Sequence, residues 1–112
     1  MFHVIEIRRY VTRTGKDVIG DWLAGLDDVQ ARARIAARLD RLSFGNFGDC
    51  KSLREGVSEL RIDWGRGYRL YYATLGSTCV LLLCGGDKRK QFSDINRAIQ
   101  YLRDYKERSR NP

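Results

Sequence analysis

Apolar positions recur along this chain in two rhythms, and the switch between them marks where helices give way to strands. From Val18 to Leu26 they recur every four residues, as Val18, Trp22 and Leu26 with Ile19 and Leu23 beside them. That is the stripe of an amphipathic helix. Thr14-Gly15-Lys16-Asp17 precedes it, a hydroxyl followed three residues later by a carboxylate, which reads as its start signal. Asp27-Asp28-Val29-Gln30 is a second start signal. The helix after it carries Ala31, Ile35, Leu39 and Leu42 on one stripe and Arg34, Arg38 and Arg41 on another. Ser43 to Asp49, with two glycines and an asparagine, breaks the pattern. So short a link between the helices predicts an antiparallel helical hairpin.

From Val57 the period becomes two. Leu60, Ile62 and Trp64 alternate with Glu59, Arg61 and Asp63, a strand with one face in the core and one in water. Gly65-Arg66-Gly67 turns the chain, and Tyr68 to Ala73 returns with Leu70 and Tyr72 opposite in parity to Arg69 and Tyr71. After Gly76-Ser77, the segment Thr78 to Cys84 is apolar on both faces, as a central strand should be. Gly85 to Lys90 then leaves the sheet as a basic loop. Phe92, Ile95, Ile99 and Leu102 mark a closing helix, and Phe2 to Arg9 reads as an opening strand. The order β-α-α-β-β-β-α predicts an α+β fold with a mostly antiparallel sheet packed against the helical hairpin. The 112 residues leave room for one domain, spanning 1–112.

Composition narrows the functional classes. Twenty-one basic against 14 acidic residues give a net charge of +7 and a pI near 9.7, a field suited to a polyanion. Sixteen of the basic residues are arginine, whose planar fork suits bidentate phosphate contacts, although codon bias gives the same excess. The longest apolar run, Cys79 to Cys84, is one strand long, and the N-terminus lacks the layout of a secretion signal. A cytoplasmic protein without membrane contact is the expectation. Cys50, Cys79 and Cys84 form an odd set with no C-x-x-C pair. Cys79 and Cys84 are expected on opposite strand faces, so neither disulfides nor a metal site is anticipated, and no cofactor.

The single imidazole, His3, excludes a Ser-His-Asp or Cys-His arrangement, and Gly65-x-Gly67 is no dinucleotide fingerprint. What remains is a basic and aromatic set on the sheet. Arg61 and Arg69 fall near each other on one surface if the hairpin closes at Gly65 to Gly67. Tyr71 shares that face, Lys88 emerges beyond the next strand, and Lys51, Arg54 and Arg66 rim the patch, with Arg89 and Lys90 extending it. Guanidiniums, an ammonium and a phenol suit phosphodiester cleavage without histidine: cations stabilise the pentacoordinate transition state, and lysine or tyrosine moves the proton. Arg61 between Glu59 and Asp63 reads equally as a cross-strand charge ladder.

The stretch Lys51 to Asp63 with its E-L-R-I, followed by G-Y-R-L-Y at Gly67 to Tyr71 and G-G-D-K at Gly85 to Lys88, resembles the RelE/HigB-type toxins of bacterial type II toxin–antitoxin modules. The likeness is to the addiction module killer protein branch of the RelE/ParE superfamily. It implies a RelE-like fold and a toxin that cleaves mRNA on the translating ribosome until a cognate antitoxin neutralises it. The antitoxin implied is a helix-turn-helix protein, and operator DNA is bound only through the complex. Carried over by position, the functional residues are Arg61, Arg69, Lys88 and Lys51. ParE-type relatives on the same fold inhibit DNA gyrase without cleaving RNA, and a basic nucleic-acid-binding module without catalysis is a third reading.

Overall fold

In the computed structural model, which describes residues 4–110, five strands form one sheet in the order β1-β5-β4-β3-β2. These are β1 (Glu6–Arg9), β2 (Cys50–Ser52), β3 (Ser58–Ile62), β4 (Tyr68–Leu75) and β5 (Cys79–Gly86). Helices α1 (Val18–Ala24) and α2 (Val29–Ser43) follow β1, and a short 3-10 turn (Lys88–Lys90) leads into α3 (Gln91–Arg110). All neighbouring strands pair antiparallel except β1 and β5, which run parallel. The fold is α+β with a mostly antiparallel sheet and a C-terminal helix, as the periodicity predicts. The sequence reading missed β2, a strand of three exposed residues with no apolar alternation to betray it.

Both faces of the sheet are covered. On one face Leu60, Ile62, Tyr68, Leu70, Tyr72, Val80 and Leu82 pack with Ile19 of α1 and Ala31, Ile35 and Leu42 of α2. On the other, Val57, Tyr71, Ala73, Leu81, Leu83 and Cys84 pack under Ala98, Ile99 and Leu102 of α3. The expectation of a solvated second face is therefore corrected: α3 roofs it. A bulge in β5 makes the burial fit. Tyr71 pairs with Cys84 but Tyr72 pairs with Leu82, so Leu83 and Cys84 both turn toward α3. Cys84 consequently does not keep the parity expected of it, and burial pushes its thiol up to about 11.

Helix starts also shift slightly. Asp17, not Thr14, caps α1 by accepting from the Gly20 amide, while Asp28 caps α2 through the Gln30 and Ala31 amides. Asp28 additionally accepts from the Trp64 indole at 3.1 Å, and the Arg34 guanidinium lies 3.9 Å above that ring. Trp64 is thus half-buried at the rim instead of fully in the core, whereas Leu70 has no exposure at all. The opening strand begins at Glu6; Phe2 and His3 lie outside the described residues. Leu70→Ala should cost about 2–5 kcal/mol of stability, read by denaturant unfolding, because the cavity opens where α2 meets β4. A loss below about 1 kcal/mol would contradict the packing assigned to that face.

Candidate functional site

The core ends before the sheet does. Beyond Tyr71 and Cys84 the face roofed by α3 becomes charged, because strand register aligns Arg61 on β3 with Arg69 on β4 and Gly86 on β5. The neighbouring row aligns Lys51, Glu59, Tyr71 and Cys84. Arg61 and Arg69 are therefore brought together as the hairpin predicts. Neither is free. Arg61 donates through Nε and Nη2 to Asp49 at 3.1 and 2.7 Å, and that carboxylate holds its guanidinium even more firmly charged. Arg69, its side chain only 13% exposed, donates to the carbonyls of Gly67 and Tyr68. Its Nε lies 3.7 Å from the buried Glu59, within ion-pair range but too far for a hydrogen bond.

Glu59 in turn accepts from Gln91 at the start of α3 at 3.2 Å. Tyr71 sits beneath this set with no exposure, and its hydroxyl finds no hydrogen-bond partner among the described residues. Burial, with Glu59 and Asp94 nearby, pushes the phenol above its ordinary range. The expectation that Tyr71 shares an open surface with Arg69 is corrected, and so is the placement of Arg69 on an open face. The alternation was right in parity and wrong about what covers it.

Lys88 does reach the cluster. A Cβ placed on Gly67 would lie 3.5 Å from both Arg69 Nη1 and Lys88 Cβ, so the Arg69 guanidinium and the stem of the Lys88 side chain flank this one turn residue. Arg66, Lys88 and Arg89 line a shallow hollow of about 330 Å³ beside it. Lys88, Lys90 and Arg66 are exposed and make no ion pair among the described residues, whereas Arg89 pairs with Asp87 at 3.2 Å. Lys51 is exposed on edge strand β2, one strand from Glu59. Arg54 is elsewhere. It lies in the β2–β3 turn at the opposite end of β3, bound to Glu55 and to Asn96 of α3, and does not rim the patch.

Sequence reading did not single out Arg38 from the stripe that it shares with Arg34 and Arg41. Its guanidinium donates to three carbonyls: Arg61 at 2.5 Å, Asp49 at 3.0 Å and Phe47 at 3.1 Å. The loop wraps so closely that a Cβ on Gly48, whose φ is +64°, would sit 3.1 Å from Arg38 Nη2. Arg38 thereby fixes α2 to β3 and holds Asp49 where it meets Arg61. Only the long-range contact reveals this role; the i, i+4 spacing does not.

A family model described as "Phage derived protein Gp49-like (DUF891)" matches residues 21–103, from α1 through every strand of the cluster into α3. The chain belongs to the Gp49-like family. That family is associated with the toxins of toxin–antitoxin modules, a class that implies an antitoxin as partner. An uncharacterized protein of Haemophilus influenzae is 53% identical to this Gp49-like chain over 77 residues, covering 69% of the chain and 78% of that protein. Among the described residues no helix is long and apolar enough to cross a membrane.

Two substitutions test the site's construction. Tyr71→Phe removes a buried hydroxyl that bonds to nothing among the described residues, so stability should hold or rise by about 1 kcal/mol in urea unfolding. A large loss would mean that the hydroxyl has a partner. Arg38→Ala should remove three hydrogen bonds to backbone carbonyls and destabilise by roughly 2 kcal/mol or more, with amide exchange accelerating first at residues 47–49. Uniform acceleration across the domain would show that Arg38 does not hold that loop in particular.

Proposed function

We propose that this protein is the toxin of a type II toxin–antitoxin pair and acts as a metal-independent endoribonuclease on mRNA at the translating ribosome. The observation that carries the reading is the Arg69–Lys88 pair around Gly67, with Arg61 one strand away and Arg66 and Arg89 beside it. Strand cleavage by a neighbouring 2′-hydroxyl needs positive charge around the phosphorus and a proton for the departing oxygen. Arg69 and Arg61 supply the charge. The 2′-oxygen bonds to phosphorus, its proton passes to water, the P–O5′ bond breaks, and the 5′-oxygen takes a proton from the Lys88 ammonium. The products are a 2′,3′-cyclic phosphate and a 5′-hydroxyl. Tyr71 has no part in this scheme, because no substrate atom reaches a phenol buried under α3.

Arg61 must exchange Asp49 for phosphate when RNA binds. The ion pair is half-exposed, so water screens it and the exchange costs little. Lys51, Arg66, Arg89 and Lys90 then add sequence-independent backbone contacts. The partner in this reading is a helix-turn-helix antitoxin, whose complex with the toxin binds the operator.

Lys88→Ala is the cleanest test because the side chain is exposed and its loss leaves the fold intact. Primer extension on mRNA from a translating extract should show cuts with the native protein and about 10²–10³-fold slower cutting with the variant. A gyrase supercoiling assay runs beside it. Gyrase inhibition without any mRNA cut, or full cutting by the Lys88 variant, would overturn the reading.

A further inference from the structure

The first turn of α3 is held differently from the rest of that helix. From Ala98 onward the buried side chains are apolar, namely Ala98, Ile99 and Leu102. Polar contacts clasp the far end: Tyr10 donates to Asp104 at 2.5 Å, Arg13 to the same carboxylate at 2.6 Å, and Arg108 to the Val11 carbonyl. Arg54 of the β2–β3 turn binds Asn96. Ahead of Asn96 the anchoring changes. Within residues 91–95 the buried side chain is a carboxylate, Asp94, while Phe92 is 79% exposed and Ile95 is only partly buried.

What lies at and beneath that turn is polar and incompletely satisfied. Arg69 Nε, the Tyr71 hydroxyl and Asp94 Oδ2 are closed off from solvent and have no hydrogen-bond partner among the described residues. The carboxylates of Glu59 and Asp94 both act on the Tyr71 phenol, so its hydroxyl lies under the turn. Two side-chain hydrogen bonds join the turn to the sheet. Gln91 donates to Glu59 at 3.2 Å, and the Cys84 thiol makes a weak contact with the Asp94 carbonyl at 3.6 Å. A buried polar atom left unpaired in a closed form regains water in an open one, so each of the three orphans favours opening.

We infer that residues 91–95 are a lid that unwinds while the helix from Asn96 onward stays docked, and that this opening admits an anion to Arg69. Unwinding lengthens the backbone from roughly 1.5 to 3.3 Å per residue, so the segment bulges outward between fixed ends. Opening gives up little apolar burial and hydrates the three orphan atoms. With the lid closed, the Arg69 side chain is only 13% exposed. Tyr71 acts on this equilibrium and not on the anion. That the admitted anion is the scissile phosphate rests on the ribonuclease reading above; the opening itself does not.

Cys84 reports the opening, because its thiol is fully buried against the Asp94 carbonyl while the lid is shut. Cys50→Ser and Cys79→Ser in the full chain leave it as the single thiol. Its labelling by an excess of thiol reagent should run faster than global unfolding allows and change little in dilute urea. Tyr71→Phe should slow labelling about fivefold, and Gln91→Ala should speed it about tenfold. Labelling with the steep urea dependence of global unfolding, or a rate that either variant leaves unchanged, would overturn the lid. Inorganic pyrophosphate at fixed ionic strength should draw the chain toward its open form and speed labelling several-fold. Unchanged or slower labelling would show that the anion does not need the opening, and would overturn the access step. None of these readouts uses a ribosome, so a protein that opens but cuts no mRNA loses the ribonuclease reading and keeps the lid.

Discussion

Burial of the β4–β5 pair from both sides is the constraint on which the rest of this small fold depends. Val80 and Leu82 face α1 and α2, Leu81 and Leu83 face α3, and all four are at most 1% exposed. A sheet sandwiched in this way needs helices on both faces, and the three α-helices among the described residues are just enough to cover its centre. They leave the outer strands and one end of the sheet uncovered. The charged rows occupy what the helices cannot reach, so the site's position follows from how far the core extends.

The bulge opposite Tyr71 and Tyr72 ties these two regions together. By turning both Leu83 and Cys84 toward α3, it shifts the parity of the last residues of β5, so that Gly85 meets Trp22 and Gly86 meets Asp94. The bulge is therefore a packing device for the core and sets which helix meets each of the two glycines beyond it.

Much of this was legible in the chain itself. Period-four and period-two stretches located α1, α2 and α3 and the three long strands, though not the 3-10 turn at Lys88–Lys90, and the glycines of Gly65-Arg66-Gly67 put Arg61 opposite Arg69 in register. What escaped is non-local. Three exposed residues of β2 carry no alternation. A bulge has no sequence mark beyond an apolar run that is already two-faced. The roofing of one sheet face by α3 cannot be seen in β4, where Arg69 and Tyr71 look like an outward pair; only the apolar stripe Ile95, Ala98, Ile99 and Leu102 in the last helix says that something must be covered. Arg38 was hidden for a related reason, since one arginine of an exposed stripe looks like the others until the 47–49 loop closes on it.

The charge of +7 gives a misleading picture of how this surface meets a polyanion. Field strength at a distance is set by the sum, and that sum attracts anions of any kind toward the molecule. At contact, the individual pairings matter. Arg61 faces Asp49, Arg69 faces Glu59, Arg89 faces Asp87 and Arg97 faces Asp94, so four arginines near the site already have carboxylates. A phosphate gains at these positions only the difference between itself and an aspartate or glutamate. Arg66, Lys88 and Lys90, without an ion pair among the described residues, offer their full interaction. These pairings also keep four guanidiniums from repelling one another across a few strands in a domain too small to absorb that strain. Internal counter-ions thus let the protein keep a dense arginine cluster folded before any ligand arrives, and leave selectivity to the few cations without a partner.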